Sequence, residues 1–139
     1  MAYVTHYRDL QVYKISRQLS VKVFQLSKAF PKEEMYSLTD QIRRSSRSVG
    51  AQIAEAWGKR PYIKHFVSKL TDADGEQLET QHWIETAKDC RYLSEMDAKE
   101  LLTQCESIGR MISSMMGKAD QFCIKAKLQT DSPLPNTEH

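Results

Sequence analysis

The stretch SLTDQIRRSSRSVGAQIAEAWGKR, residues Ser37 to Arg60, combines a helical pattern of apolar residues with a concentration of positive charge. At about 100° per residue, its apolar residues cover roughly a quarter of a helix circumference. They are Leu38, Ile42, Val49, Ile53 and Trp57. Ser37 followed by Asp40 is typical of a capping box, and Gly58 is placed to end the helix in the left-handed conformation. The stretch therefore predicts one helix that buries its apolar side.

Three further segments show helical periodicity. The first runs from Leu10 to Phe30 and is ended by Phe30-Pro31. Another runs from about Tyr62 to Lys88, with Pro61 at or near its first turn. The last begins at a capping box formed by Ser94 and Asp97, and its apolar face extends to Phe122.

The third predicted helix contains polar residues where its apolar stripe should continue, at Asp74, Gln77 and Gln81. Either the helix breaks at Asp74-Gly75, or polar groups enter the core. Two helices of about twelve residues would each be marginal alone, so we expect one long helix.

The fold class follows from these segments and from the chain length. A chain of 139 residues that is 40% hydrophobic can bury one core of ordinary size, which favours one domain. No segment alternates apolar and polar residues for long enough to predict a strand. We predict an all-α, antiparallel up-and-down four-helix bundle over residues 7–126, followed by a disordered C-terminal tail over residues 127–139.

The net charge of +2 conceals an asymmetry along the chain. Residues 1–70 contain 13 Lys/Arg and 5 Asp/Glu, whereas residues 71–139 contain 7 and 13. Such a division is typical of a molecule with one cationic and one anionic surface, and equally of complementary charge between subunits.

Six cations fall within 22 residues that contain one acid, Glu55. They are Arg43, Arg44, Arg47, Lys59, Arg60 and Lys64. One hypothesis is that they form a nucleic-acid-binding surface that contacts phosphates. The alternative is that they are solvated or pair with acids of the third helix, in the same or a neighbouring subunit. Those acids are Glu76, Glu79 and Glu85.

Trp83 indicates self-association. It lies almost opposite the apolar side of the third helix, beside Glu76 and Glu79, where a monomer would expose it. Because large apolar side chains outside a core often mark an interface, these three residues are the candidate oligomer interface. Single glycines inside the predicted helices, such as Gly50 and Gly109, suggest close backbone approach within the bundle or between subunits.

The sequence lacks the patterns of enzymes and metal proteins. No serine has a nearby histidine as a base, no glycine-rich phosphate loop is present, and the histidines are too widely spaced for a metal site. Cys90, Cys105 and Cys123 form no CxxC pair and are interpreted as buried thiols. We expect no catalysis, metal or cofactor. Without a long apolar run or secretion signal, we expect a cytoplasmic protein with no membrane partner.

The segment FPKEEMYSLTDQIRR, residues 30–44, continued by the IAE of residues 53–55, resembles a known bacterial family. Its members are four-helix bundles first noted as proteins encoded in intervening sequences of large-subunit ribosomal RNA genes, and the match covers about Tyr7 to Phe122. Gln52 and Ala56 replace the asparagine and the first glycine of the family pattern N-I-A-E-G-x-G-R.

The resemblance implies a small cytosolic protein that assembles as a ring of five bundles. The chain is also similar to the basic pentameric accessory subunits of diversity-generating retroelements, whose partners are nucleic acid and a reverse transcriptase. We therefore expect a non-catalytic homo-oligomer, a pentamer by resemblance, that binds RNA or another polyanion. The alternative is a protein-interaction scaffold or accessory subunit whose arginines form inter-subunit salt bridges.

Overall fold

Four long helices form the body of the protein, and the predicted all-α four-helix bundle is confirmed. The computed structural model describes residues 3–128 and 134–137, with the side chains of residues 4–123 and 135–137. The helices are α1 (Gln11–Ser27), α2 (Leu38–Gly58), α3 (Ile63–Asp89), α4 (Glu95–Gly117) and α5 (Ala119–Leu128). Helices α1 to α4 each pack antiparallel to the next along the chain, and α4 also contacts α1. None of the described helices is long and apolar enough to cross a membrane.

The helix ends differ in part from the prediction. Ser94 Oγ accepts a hydrogen bond from Asp97 N at 3.0 Å, as expected of a cap. The predicted cap at Ser37 is wrong, because its hydroxyl instead donates to Glu34 Oε1 at 2.7 Å. Helix α2 does end at Gly58, but this glycine does not adopt a positive φ.

Helix α3 is continuous from Ile63 to Asp89, so the expectation of one long helix is confirmed. Its polar residues enter the core together with their own hydrogen-bond partners. Gln77, which is 3% exposed, donates to Asp74 Oδ1 at 2.9 Å and accepts from Gln81 Nε2 at 2.7 Å. The buried Thr80 Oγ1 lies 2.9 Å from Ser45 Oγ of α2. These bonds allow the apolar stripe to be interrupted without breaking the helix.

The predicted fourth helix is too long. It ends at Gly117, Lys118 leaves the helical conformation, and α5 begins at Ala119. Phe122 is nevertheless buried and stacks on Phe66 with 5.8 Å between ring centroids, so the change of helix keeps the apolar face on the core.

Two of the three cysteines are buried as expected, and one is not. Cys105 and Cys123 lie in the core, and burial raises the pKa of the Cys105 thiol to about 12. Cys90 is exposed because it is the residue that caps the C-terminal end of α3.

The two ends of the described chain meet. Tyr3–Val4 (β1) pairs antiparallel with Leu134–Pro135 (β2). Leu10 gives α1 no side-chain cap, and Asn136 Oδ1 and Thr137 Oγ1 instead accept from Gln11 N at 2.7 Å and Val12 N at 2.8 Å. Of residues 127–139, predicted to be a disordered tail, residues 127–128 belong to α5 and residues 134–137 contain β2 and the side chains that bond to α1, whereas residues 129–133 and 138–139 lie outside the described part.

Gly109 allows close approach between α3 and α4. A Cβ atom built there would lie 2.9 Å from Gln77 Nε2, a distance that real Cβ atoms avoid. Gly75 also lies inside a helix, but a Cβ atom there would have no neighbour within 4 Å. The close contact at Gly109 is thus with the side chain of Gln77, so the expectation of close backbone approach stays a prediction, and it does not apply within the chain at Gly75.

These two glycines form a matched pair for a stability test. We expect Gly75→Ala to raise the free energy of unfolding by about 0.5–1 kcal/mol, because alanine loses less backbone entropy in a helix. Gly109→Ala should be less stable than Gly75→Ala by about 1 kcal/mol or more, since its methyl group displaces a buried, hydrogen-bonded amide. Urea unfolding measures both values. Equal stabilities of the two variants would contradict the close contact at Gly109.

Candidate nucleic-acid interface

The six predicted cations lie in three separate parts of the surface. Arg43 and Arg47 lie on the side of α2 that faces α1, whereas Arg44 faces α3. Lys59, Arg60 and Lys64 lie beyond the opposite end of α2. A rise of 1.5 Å per residue places Lys59 about 24 Å from Arg43 along the helix axis. The six residues therefore do not form one continuous patch in a single chain.

Arg44 is engaged by acids of its own chain. Its Nη1 donates to Glu76 Oε2 at 3.1 Å, and its Nη2 bonds Glu79 Oε2. Trp83 Nε1 donates to the same Glu79 oxygen at 3.0 Å. The hydrogen bond to Glu79 is the largest factor that raises the pKa of Arg44, while the bonds from Trp83 and then Arg44 lower the pKa of Glu79. For Arg44, the alternative of pairing with α3 in the same subunit is therefore confirmed.

The predicted interface residues thus have contacts within the chain. Trp83 is half-buried at the edge of the core, and Glu76 and Glu79 hold Arg44. The third predicted acid, Glu85, lies 3.4 Å from Lys88 on its own helix. The role of Trp83, Glu76 and Glu79 in an oligomer interface stays a prediction.

Arg60 packs against an aromatic ring at the other end of α2. Its guanidinium carbon lies 3.7 Å from the centre of the Trp57 ring, and its Nε donates to Trp57 O at 2.8 Å. This partial burial lowers the pKa of Arg60. Lys59 and Lys64 are exposed.

Three cations surround the ring of Phe24 on α1. Lys28 Nζ and Arg43 Cζ each lie 4.8 Å from the ring centre, and Arg47 Cζ lies 5.5 Å from it. Arg43 Nε also donates to Ser27 Oγ at 2.7 Å. Within residues 4–123, none of these three cations forms an ion pair with a carboxylate. We call Lys28, Arg43 and Arg47 the basic cluster.

A cleft between α1 and α2 extends the basic cluster. It has a volume of about 280 Å³, and Arg17 and Arg47 are among the residues that line it. Arg17 Nη1 donates to Tyr13 Oη at 3.2 Å, a bond that raises the pKa of Arg17. Gly50 also lines the cleft, and a Cβ atom built there would lie 3.7 Å from the Tyr13 ring, an ordinary contact distance.

The charges of α2 alone did not predict that α1 contributes cations to the same surface. Residues 10–32 contain five cations, namely Lys14, Arg17, Lys22, Lys28 and Lys32, and no Asp or Glu. This acid-free segment was a signal available in the sequence. Helices α1 and α2 together carry six Lys/Arg and two Asp/Glu, whereas α3 and α4 carry five and ten.

The chemistry that this surface can perform is electrostatic attraction of anions. Among the described residues, no group of three or more His, Cys, Asp or Glu side chains is placed to hold a metal ion. Several cations without acidic partners create a positive potential, which attracts phosphates without a need for a particular base sequence.

Comparisons with known proteins identify the family. The family model described as 23S rRNA-intervening sequence protein matches residues 8–114. A crystal structure of a protein with unknown function from the S23 ribosomal protein family of Bacteroides thetaiotaomicron has a similar fold, with a TM-score of 0.69 and 25% sequence identity. The similarity covers 76% of this chain and 97% of that chain. A search of curated proteins found no match. The resemblance noted in the sequence is therefore confirmed, and the chain belongs to the 23S rRNA-intervening sequence protein family.

Proposed function

We propose that the protein is a non-catalytic, cytoplasmic homo-oligomer that binds RNA, or a polyanion of the same charge density, through the basic cluster and the adjacent α1–α2 cleft. The observation that carries the proposal is the convergence of Lys28, Arg43 and Arg47 on one ring without an acidic partner among the described residues. Arg44 contributes less, because Glu76 and Glu79 already neutralise it.

The electrostatic cost of the basic cluster supports an anionic ligand. Like charges held close together repel one another, and the ring of Phe24 offsets this repulsion only in part, since a cation–π contact at an exposed site contributes about 0.5–1 kcal/mol. A phosphate placed among the three cations removes the repulsion and releases counterions from the nucleic acid. A surface of this kind recognises the phosphate backbone and does not require a base sequence.

Self-association would make such a surface effective. A single chain offers a few phosphate contacts, and several copies on one assembly bind a long polyanion with an effective concentration that raises the overall affinity. Exposed apolar side chains on α3 support contact between copies, since Ile63 is 46% exposed and Leu78 is 53% exposed. The proposed number of five copies rests on the family resemblance.

A protein-interaction scaffold is the second candidate function. The same exposed side chains of α3, together with Tyr62 at its start, support a protein contact on this helix. In that case Arg43 and Arg47 would form salt bridges to a neighbouring subunit, and the basic cluster would be covered in the assembly.

A charge-reversal experiment tests RNA binding. We expect Arg43→Glu with Arg47→Glu to abolish binding of a single-stranded RNA in a gel-shift assay and to leave the oligomer intact by light scattering. Wild-type affinity should fall steeply between about 50 and 200 mM salt, because several phosphate contacts release counterions.

The matched control is Lys59→Glu with Lys64→Glu, which changes the net charge equally on exposed residues beyond the opposite end of α2, where Lys59 lies about 24 Å from Arg43 along the helix axis. This control should retain most of the affinity. Equal losses in both variants would show that net charge, and not the basic cluster, determines binding. If the arginine variant instead splits the oligomer, the scaffold function is the correct one.

A second experiment tests the apolar surface of α3. We expect Leu78→Glu to shift the oligomer toward monomer in light scattering, because a buried carboxylate without a partner is costly at an interface. Met96→Glu is the control, since Met96 is 79% exposed in the first turn of α4, where a negative charge is favourable. A wild-type protein that is monomeric in dilute solution would contradict both candidate functions.

A further inference from the structure

A second concave site lies where α1 ends and α2 begins, beside the basic cluster. It is a notch of about 220 Å³, and three cations are among the residues that line it. These are Lys28, Lys32 and Arg43, and the uncharged part of the lining includes Ser27 and Thr39. Lys28 directly follows the last residue of α1, Lys32 lies in the connection between the helices, and Arg43 belongs to α2, so the notch exists only when α1 and α2 are packed.

Thr39 has a polar group without a partner. The residue is 6% exposed, and its buried hydroxyl has no hydrogen-bond partner in the described part of the chain. Buried hydroxyls are usually hydrogen-bonded, so an unpartnered one beside three cations indicates a missing acceptor.

The backbone adds to the positive potential. Thr39 lies in the first turn of α2, a helix of 21 residues that the Ser37 side chain does not cap, although Glu34 Oε1 accepts from Leu38 N at 3.4 Å. The free N–H groups of a helix N-terminus favour an anion. The nearby acids Glu33, Glu34 and Asp40 do not line the notch, and Glu34 accepts bonds from Ser37 and Tyr92.

We infer that this notch binds the terminal phosphate of an RNA 5′ end, an inference that rests on the proposed function. A terminal monoester carries up to two negative charges, more than an internal diester, and three cations with a hydroxyl donor complement it better. A strand that ends in the notch continues across the adjacent basic cluster, because Lys28 and Arg43 belong to both. The protein therefore favours RNA that carries a 5′-phosphate over RNA with a 5′-hydroxyl.

The test compares two short oligoribonucleotides of identical sequence, one with a 5′-phosphate and one with a 5′-hydroxyl, by fluorescence anisotropy at fixed ionic strength. The wild-type protein should bind the phosphorylated strand about tenfold more tightly, which corresponds to one group of charge-assisted hydrogen bonds. Thr39→Val and Lys32→Gln should each reduce this preference and leave affinity for the 5′-hydroxyl strand close to wild type.

Thr39→Val keeps the shape of the side chain and removes a hydroxyl without a partner, so its thermal stability should equal or exceed wild type. Lys14→Gln, which removes an exposed cation of α1 outside the notch, is the control for net charge and should retain the preference. Replacing chloride by inorganic phosphate at equal ionic strength should weaken binding of the phosphorylated strand and leave binding of the 5′-hydroxyl strand unchanged. This result distinguishes a phosphate site from a general charge effect.

If the wild-type protein binds the two strands with equal affinity, the notch is not a site for a terminal phosphate, and the proposed function is unaffected. A preference that survives both Thr39→Val and Lys32→Gln would also overturn it. If neither strand binds at any salt concentration, the proposed function and the phosphate site in the notch are both overturned.

Discussion

The packing of α2 between α1 and α3 is the constraint on which the rest of the structure depends. The apolar side of α2 is fully buried, at Ile42, Val49 and Ile53, so its charged residues can lie only along the two seams with its neighbours or on the outer side. Successive residues of a helix are rotated by about 100°, which sends Arg43 and Arg44 to opposite seams. The burial of one face thus decides the environment of each arginine.

Two adjacent arginines consequently have different electrostatic environments. Arg44 meets the acid-rich helix α3 and forms a network with Glu76, Glu79 and Trp83. Arg43 meets α1, which contains no acid, and contacts Phe24 and Ser27. The first arrangement is neutralised within the protomer and supports the fold. The second remains electropositive and is available to a ligand.

The helices could be predicted from the sequence because apolar periodicity reports burial directly. The cap at Ser37 could not, since Glu34 in the preceding turn competes for the same hydroxyl through a contact that the capping pattern does not include. The end of α4 was also missed, because Lys118 leaves the helical conformation within a continuing apolar stripe. Local patterns therefore predicted which segments are helical better than where they end.

The candidate site was only partly predictable. Clustering of cations along α2 suggested one patch, but distance along a helix separates residues that are close in sequence, as for Arg43 and Lys59. The basic cluster also depends on Lys28 and Phe24, which reach α2 only through the packing of α1. The choice between solvent, phosphate and an acidic partner for each arginine depends on the neighbouring helix, which a single segment does not reveal.

The hydrogen bonds from Gln11 N and Val12 N to Asn136 and Thr137 have a consequence for the order of folding. The side chains that cap the N-terminal end of α1 lie 125 positions further along the chain. This helix therefore leaves the ribosome long before the N–H groups of its first turn can be hydrogen-bonded. During synthesis, α1 depends on packing against α2 for its stability, since short helices are marginal in isolation. The α1–α2 cleft is thus assembled early in synthesis, whereas the N-terminal cap of α1 forms only when Asn136 and Thr137 have been made.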